Sequence, residues 1–239
     1  MDKFQSYFKS AFTVDNVIFG FEAGILQVLL IKRNIEPAIG KWALPGNFVE
    51  PNEDLDAACS RVLEQLTGVR DVYLEQVKTF GRVDRHPFGR VITVAYYSLV
   101  KSSNFILFPS SIAGKAKWQP VNEIGEMPFD HNEILDACLE RLRLRVRARP
   151  IGFELLPRKF TLTELQNLYE AILNTELDKR NFRKKILSMG LLIDLNELQE
   201  GVAHRPAKLY QFDEKAYENF VAEGYSFELK ESRKKQNRH

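Results

Sequence analysis

The sequence predicts an α+β protein built as two units: a mixed sheet with flanking helices over residues 1–149, and a small helical unit closed by a hairpin over 150–229. Three observations carry that expectation. Strand-like and helix-like apolar patterns are interleaved up to about residue 145, and after Pro150 they give way to short helices followed closely by extended segments. No Gly/Ser-rich linker separates the two regimes, and the punctuation is Pro150-Ile-Gly and Leu156-Pro157. The chain has 239 residues, 44% hydrophobic and 28% charged, which is enough apolar material for one large core or two ordinary ones. Residues 230–239 read as a basic, disordered tail.

Each element has a local cause. Residues 13–31 place Val14, Val17, Ile18 and Phe19, then Ile25, Val28, Leu29, Leu30 and Ile31, around Glu22-Ala23-Gly24, the signature of a hairpin. Trp42–Val49 and Val91–Val100 are the next extended stretches. Between them a long helix opens at Asn52 as cap, with Glu53 and Asp54 suited to its positive first turn. It buries Leu55, Ala58, Cys59, Val62, Leu63 and Leu66 on one face and stops at Gly68. A second helix follows His131, with Ile134, Leu135, Cys138, Leu139 and Leu142 as its stripe.

In the second unit, Thr161-x-x-Glu164 is a capping box, and Leu165, Leu168, Tyr169, Ile172 and Leu173 form the buried face of the helix it opens. Asn174–Leu177 is a tight connection. Asp178 then caps a helix that turns Phe182, Ile186 and Met189 inward and stops at Gly190. Leu191–Asp194 and Ala207–Phe212 read as two strands around a loop with His204 and Arg205. Helix, short turn, helix and hairpin is the order of a winged helix-turn-helix. The basic cluster Lys179, Arg180, Arg183, Lys184 and Lys185 falls on the second helix, which turns a run that could be merely solvated into a nucleic-acid surface.

Bulk properties exclude several classes. With 34 basic and 32 acidic residues the formal charge is +2, so total charge names no partner. Two cysteines, Cys59 and Cys138, both at apolar helix positions, exclude a disulfide scaffold and a multi-cysteine zinc site. The lack of an apolar run near eighteen residues and of an apolar core in the N-terminal segment points to a cytoplasmic protein with no membrane partner.

Gly40-Lys-Trp-Ala-Leu-Pro-Gly-Asn-Phe-Val-Glu-Pro-Asn-Glu-Asp-Leu, followed by Arg61 and Thr67-Gly68-Val69, resembles the Nudix box, G-x5-E-x7-R-E-U-x-E-E-x-G-U with U apolar. The resemblance implies an α/β/α sandwich in which helix carboxylates hold a divalent metal against a diphosphate. Here Asn47 replaces the first glycine, and Val62, Gln65 and Leu66 replace three glutamates, while Glu50, Glu53 and Glu64 remain. The expectation is therefore a protein without a metal, without another cofactor and without hydrolase activity.

A degenerate Nudix domain followed by a winged helix resembles the Nudix-related transcriptional regulators over nearly the whole chain. The specific parts are Phe129-Asp130-His131, Pro150-Ile-Gly-Phe-Glu-Leu-Leu-Pro157, Phe160-Thr-Leu-Thr-Glu-Leu-Gln166, Leu168-Tyr169-Glu170, Leu177–Leu187 and Arg205-Pro-Ala-Lys-Leu-Tyr210. The family implies a homodimer on double-stranded operator DNA that senses a metabolite in the Nudix domain, either ADP-ribose or L-arabinose. Gly20-Phe21, the Lys32–Ala38 stretch and Val62-Leu63 favour the pentose branch. The competing readings are a residual hydrolase of ADP-ribose or a related nucleoside diphosphate and a protein-docking module.

The DNA-binding residues expected are Lys179, Arg180, Asn181, Arg183 and Lys184 on the recognition helix, His204, Arg205 and Lys208 on the wing, and Thr161. Thr161 is first a capping residue. The effector-binding residues expected are Arg33, Trp42, Asn47, Phe48, Glu50, Arg82, Asp84, Arg85 and His131, an aromatic, amide, carboxylate and guanidinium set suited to sugar hydroxyls. Trp42 reads equally as core, Asp84-Arg85 as a turn pair, and Asp130 and His131 as a helix cap.

Overall fold

The computed structural model describes residues 10–102, 113–203 and 205–223. His204 and the 230–239 tail lie outside the described residues. Strands β1 (Ala11–Glu22) and β2 (Ile25–Arg33) form the expected hairpin, with Ala23 and Gly24 at φ of 49° and 82° in its turn. Strands β3 (Trp42–Ala43) and β4 (Gly46–Phe48) lead to helix α1 (Leu55–Thr67). Then come β5 (Glu75–Phe80), β6 (Val91–Val100), β7 (Ala113–Pro120) and helix α2 (His131–Ala148). The sheet runs β3-β2-β1-β6-β5, with β4 paired to β1 and β7 to β2. β1 and β6 are parallel, Val14 opposite Val94, and the other pairs are antiparallel.

Local chemistry explains where the structure departs from the sequence expectation. Trp42–Val49 is not one strand: it breaks at Leu44-Pro45, so that β3 pairs with β2 and β4 with β1. The cap of α1 is Asp54, not Asn52; its Oδ1 accepts the Ala57 N–H at 2.8 Å, while Asn52 lies in the preceding turn. Strands β5 and β7 escaped prediction because lysines and other polar residues interrupt their apolar alternation. A short helix at Glu214–Ala222 was not expected either.

The second unit begins inside α2, between Arg141 and Leu142. It contains helices α3 (Leu162–Leu173) and α4 (Lys179–Ser188), strands β8 (Leu192–Leu198) and β9 (Lys208–Phe212), and helix α5 (Glu214–Ala222). The capping box forms, with Thr161 Oγ1 accepting the Glu164 N–H at 3.1 Å and Glu164 Oε2 accepting the Thr161 N–H at 2.7 Å. Asn174, at φ 52°, ends α3. Glu170 and Gln166 then fix the turn to α4: Glu170 Oε1 accepts the Leu177 N–H at 2.8 Å, and Gln166 donates to the Leu177 carbonyl at 3.1 Å. Asp178 caps α4, as expected. Phe182 and Ile186 are buried, with the Phe182 ring edge-on to Tyr169 at 5.5 Å, but Met189 is only half-buried at the helix end. Phe160 and Tyr210 exchange backbone hydrogen bonds of 2.9 and 2.8 Å, adding a bridge to the wing hairpin. No helix among the described residues is long and apolar enough to cross a membrane.

In the first unit, α1 covers one face of the sheet. Ala58, Cys59, Val62 and Leu66 pack with Val14, Ile31, Val94 and Tyr96, and Leu63 packs with Ile18, Leu29 and Val100. Val14 and Val94 face α1, so Asp15 and Thr93, one residue along, face the opposite side, where His131 of α2 lies. Val62 and Leu66 stand 0% and 1% exposed. Replacing either by the glutamate of the Nudix box should destabilise the fold by about 2–4 kcal/mol, through lost apolar burial and desolvation of the carboxyl group. Chemical denaturation measures this; a Leu66→Glu variant as stable as the parent would mean that the α1 face opens to water.

Candidate functional site

Behind the Nudix-box loop lies a buried polar cluster. Arg85 stacks both prongs of its guanidinium on Asp130, Nε to Oδ2 at 2.8 Å and Nη2 to Oδ1 at 2.7 Å, with Asp15 at 3.6 Å. Thr93 donates to Asp15 Oδ2 at 2.7 Å. His131 Nδ1 accepts the Leu44 N–H at 3.0 Å, so its proton sits on Nε2, 3.6 Å from Asp15 Oδ1. Burial lowers the His131 pKa against the opposing pull of Asp15 and Asp130. Gly46 closes the cluster: a Cβ there would stand 1.9 Å from Asp15 Oδ1, so only glycine admits the loop this close.

Two expected effector contacts, Arg85 and His131, therefore lie inside the fold rather than on an open wall, with side chains 4% and 5% exposed. Asp130 is not a side-chain helix cap, because its carboxylate is committed to Arg85. The accessible residues of the same region are different ones. Arg82 and Asp84 pair at 3.0 Å on the exposed 81–90 loop, and Arg82 also reaches Glu133 at 2.9 Å, which raises its pKa. Arg33 is half-buried, donates to the Pro37 carbonyl at 2.9 Å and lies 5.3 Å from the Phe129 ring centroid; desolvation lowers its pKa. Phe129 in turn stacks on His86, with centroids 5.3 Å apart and planes 12° apart, and His86 meets Phe88 edge-on.

The box residues form a second group. Arg61 donates from Nε to Glu53 Oε2 at 2.8 Å, and from Nη2 to Glu53 Oε1 and to the Phe48 carbonyl. Its Nη1 reaches Gln65 at 3.1 Å and Glu50 at 3.6 Å. Asn47 Oδ1 accepts its neighbour Phe48's N–H, Phe48 is half-exposed, and Glu50 is exposed. Trp42 is half-buried, with Lys117 4.4 Å above its ring, which occupies one aromatic face. Among the described residues, no group of three or more His, Cys, Asp or Glu side chains is placed to hold a metal ion.

In the second unit, Lys179, Arg180, Asn181 and Lys184 are exposed on α4. Arg183 is half-buried, and its Nη2 donates to Thr163 Oγ1 on α3 at 3.0 Å. Thr161, expected to touch DNA, is 2% exposed, and its hydroxyl is used within the capping box, so that expectation is corrected. On the wing, Arg205 is exposed, and Lys208 is bound to Asp194 at 2.7 Å, each partner shifting the other toward its charged form.

A sheet with a box helix on one face, followed by a capped helix pair and a wing, defines a Nudix-domain regulator with a winged-helix DNA-binding unit. The Nudix domain model matches residues 9–142, and the NrtR DNA-binding winged helix domain model matches 152–212. The chain is 37% identical over 206 residues, 84% of its length and 81% of the relative's, to the ADPR responsive transcriptional repressor NtrR of Acinetobacter baylyi. Shewanella oneidensis NrtR complexed with a 27mer DNA superimposes with a TM-score of 0.76 at 31% identity, covering 91% of this chain and 98% of that one. Its isolated Nudix domain complexed with ADP ribose matches at 0.52 and 29% identity over 59% of this chain and 99% of that one. The ADP-ribose pyrophosphatase of Methanocaldococcus jannaschii is 30% identical over 135 residues, 56% of this chain and 76% of the relative. The chain belongs to the NrtR family of Nudix-related transcriptional regulators.

Residue reading missed Asp15, Thr93, Phe129 and His86 as members of the site, and Thr163 as the partner of Arg183. Asp15 had a usable signal, a lone carboxylate inside the buried run Val14–Gly20. The role of Arg61 is testable through its partner. Its hydrogen bonds, followed by the Glu50 N–H, hold the Glu53 pKa at about 2, against an ordinary value of 4.5. A carboxyl depressed in the fold stabilises above its unfolded value and loses that contribution as the pH falls toward the folded one. The stability gap between the parent and Glu53→Gln should therefore be constant above about pH 5.5 and close progressively below 4.5. Denaturant midpoints measured from pH 7 to 3 test this, and a gap independent of pH would disprove the pairing.

Proposed function

We propose that this protein is a homodimeric repressor that holds operator DNA through α4 and the wing, and releases it when ADP-ribose enters the Nudix cleft. The observation that carries the reading is the two-domain likeness to an ADP-ribose-responsive repressor along 84% of the chain, joined to an exposed basic face on α4. The sequence favoured a pentose; the relatives and the chemistry of the cleft both support ADP-ribose instead. Arg33 and Arg82 offer guanidinium groups suited to a diphosphate, and the His86, Phe88 and Phe129 rings offer faces suited to a base. A neutral pentose brings neither a phosphate for the guanidinium groups nor a planar base for the rings.

The same reading makes the domain a sensor rather than a hydrolase. A divalent cation needs clustered oxygen ligands. Val62 and Leu66 are buried apolar residues, Gln65 is neutral and bonded to Arg61, and Glu53 has both oxygens on Arg61, so the residues present do not fit a catalytic metal pair. The pyrophosphatase relative keeps hydrolysis as the second reading, and magnesium-dependent turnover of ADP-ribose, lost on Glu50 or Glu53 substitution, would establish it.

On DNA, Arg180 extends freely and suits bidentate reading of a guanine edge, whereas Arg183, tied back to Thr163, suits a phosphate. Lys184 belongs with the phosphate contacts, Asn181 suits adenine, and Arg205 and Lys208 suit the backbone beside the wing. One winged helix covers few base pairs, so a dimer on a two-fold site is expected, and light scattering of the complex checks it. Arg180→Ala should cost about 1–3 kcal/mol and relax preference at one base pair; Arg183→Ala should weaken all sequences alike and reduce the salt slope by about one. Binding titrations against base-substituted duplexes at several salt concentrations separate the two outcomes. For the effector, calorimetry of ADP-ribose with and without operator should give affinities that differ by roughly 5- to 150-fold, since coupling is reciprocal. L-Arabinose should give no such difference, and equal ADP-ribose affinities would remove the sensor reading.

A further inference from the structure

We infer that the buried Arg85–Asp130 pair is the positioning element through which effector binding in the Nudix cleft acts on helix α2, rather than a contact to the effector. The inference rests on the ADP-ribose-released repressor proposed above and names residues of its coupling.

Three consecutive residues at the start of α2 are tied to the 81–90 loop, the end of β2, the segment before β4, and β1. Phe129 stacks on His86 of the 81–90 loop and lies under Arg33 at the end of β2. Asp130 receives both prongs of Arg85, from the same loop. His131 takes the Leu44 N–H from the segment before β4 and faces Asp15 of β1. A displacement of any of these segments must therefore be absorbed at one joint.

The joint is rigid in one part and strained in another. A two-pronged guanidinium–carboxylate contact has a fixed mutual orientation, and with side chains 4% and 2% exposed neither partner can turn to a soluble ligand without leaving a buried charge unpaired. Phe129, next in the chain, holds a left-handed φ of 61°, which an aromatic residue rarely adopts and which its surroundings must enforce. The loop clamped at its root by Arg85 carries exposed Arg82, Val83, Asp84 and Phe88, the residues available to meet a ligand. From this joint α2 runs without interruption to Ala148, and the boundary between the two compact units falls within it. Loop movement on binding thus reaches α2 at its first turn.

The test uses the full chain, ADP-ribose, and a labelled duplex selected by the protein from a randomised pool. Arg85→Lys keeps the buried charge and removes the two-pronged geometry. We expect its ADP-ribose affinity without DNA, and its DNA affinity without ADP-ribose, each to stay within about threefold of the parent. The ligand-induced loss of DNA affinity, roughly 5- to 150-fold in the parent, should fall below about twofold. A purely structural role would move the separate affinities, not the coupling alone. Parental coupling in the variant, or loss of ADP-ribose binding itself, overturns the inference. If Arg85→Lys does not fold, the triple variant Arg85→Met/Asp130→Leu/Asp15→Asn replaces all three buried charges by neutral side chains, a change buried ion groups often tolerate, and the same outcomes apply. Hydrogen exchange on the unmodified protein gives an independent reading: ADP-ribose should change protection at the Leu44 amide and in the first turn of α2, and unchanged protection there overturns the inference. A parent whose DNA affinity ignores ADP-ribose instead defeats the proposed function, and the inference with it.

Discussion

The first unit is organised around a charge that water cannot reach. Arg85 is buried between Asp130 and Asp15, and its cost of desolvation is met only because both carboxylates, Thr93 and the neutral His131 are brought to it by three separate chain segments. Removing one partner of such a pair costs about 3–5 kcal/mol, more than most single apolar contacts provide, because it strands the other charge. The surrounding geometry follows from this demand. Gly46 has no side chain because Asp15 occupies its space, Leu44 sets its amide on His131, and the 81–90 loop is fixed at Arg85 while its outer residues stay exposed.

Beside that fixed back wall, the box helix is apolar at positions where the motif is acidic. In an enzyme the face of this helix would present carboxylates to a metal; here Val62 and Leu66 join the sheet core and Arg61 gathers Glu53, Gln65 and the Phe48 carbonyl into a brace. The brace ties the loop before α1 to the helix body without requiring a cation. This is the arrangement the proposed sensor would use, because recognition of a ligand tolerates a missing metal and metal-dependent hydrolysis does not.

In the second unit, local bonding decides how the helices are joined over a buried apolar core. The Thr161–Glu164 box starts α3, Glu170 and Gln166 hold the Leu177 backbone, and Asp178 starts α4, so the angle at which α4 leaves α3 is set by side chains that bond to main chain. The Tyr169–Phe182 contact then seals the pair. Asp194 and Glu197 of β8 pair with Lys208 and Lys159, whereas Lys179, Arg180 and Lys184 of α4 are exposed.

Much of this was legible before any coordinates, wherever the cause was local. The hairpin at Ala23-Gly24, the α1 stripe ending in Gly68, the capping box of α3, the Asp178 cap and the apolar positions of α4 depend on residues close in sequence, whose spacing alone sets which groups meet. The family could be identified from the box and the basic helix for the same reason. Strands β5 and β7 were not legible, because their pairing partners rather than their own polar-interrupted patterns make them strands. The inner chemistry of the cleft was hidden for a stronger reason. Arg85 and His131 look like ligand-binding residues as long as nothing shows what they face, and the residues they face lie far off in the chain, Asp130 45 positions from Arg85, Leu44 87 positions from His131 and Asp15 farther still from His131. Sequence determined that this protein carries a guanidinium and an imidazole near a Nudix box; only the tertiary structure decided that both point inward, because burial is a property of all the segments that close over a side chain and of none of them alone.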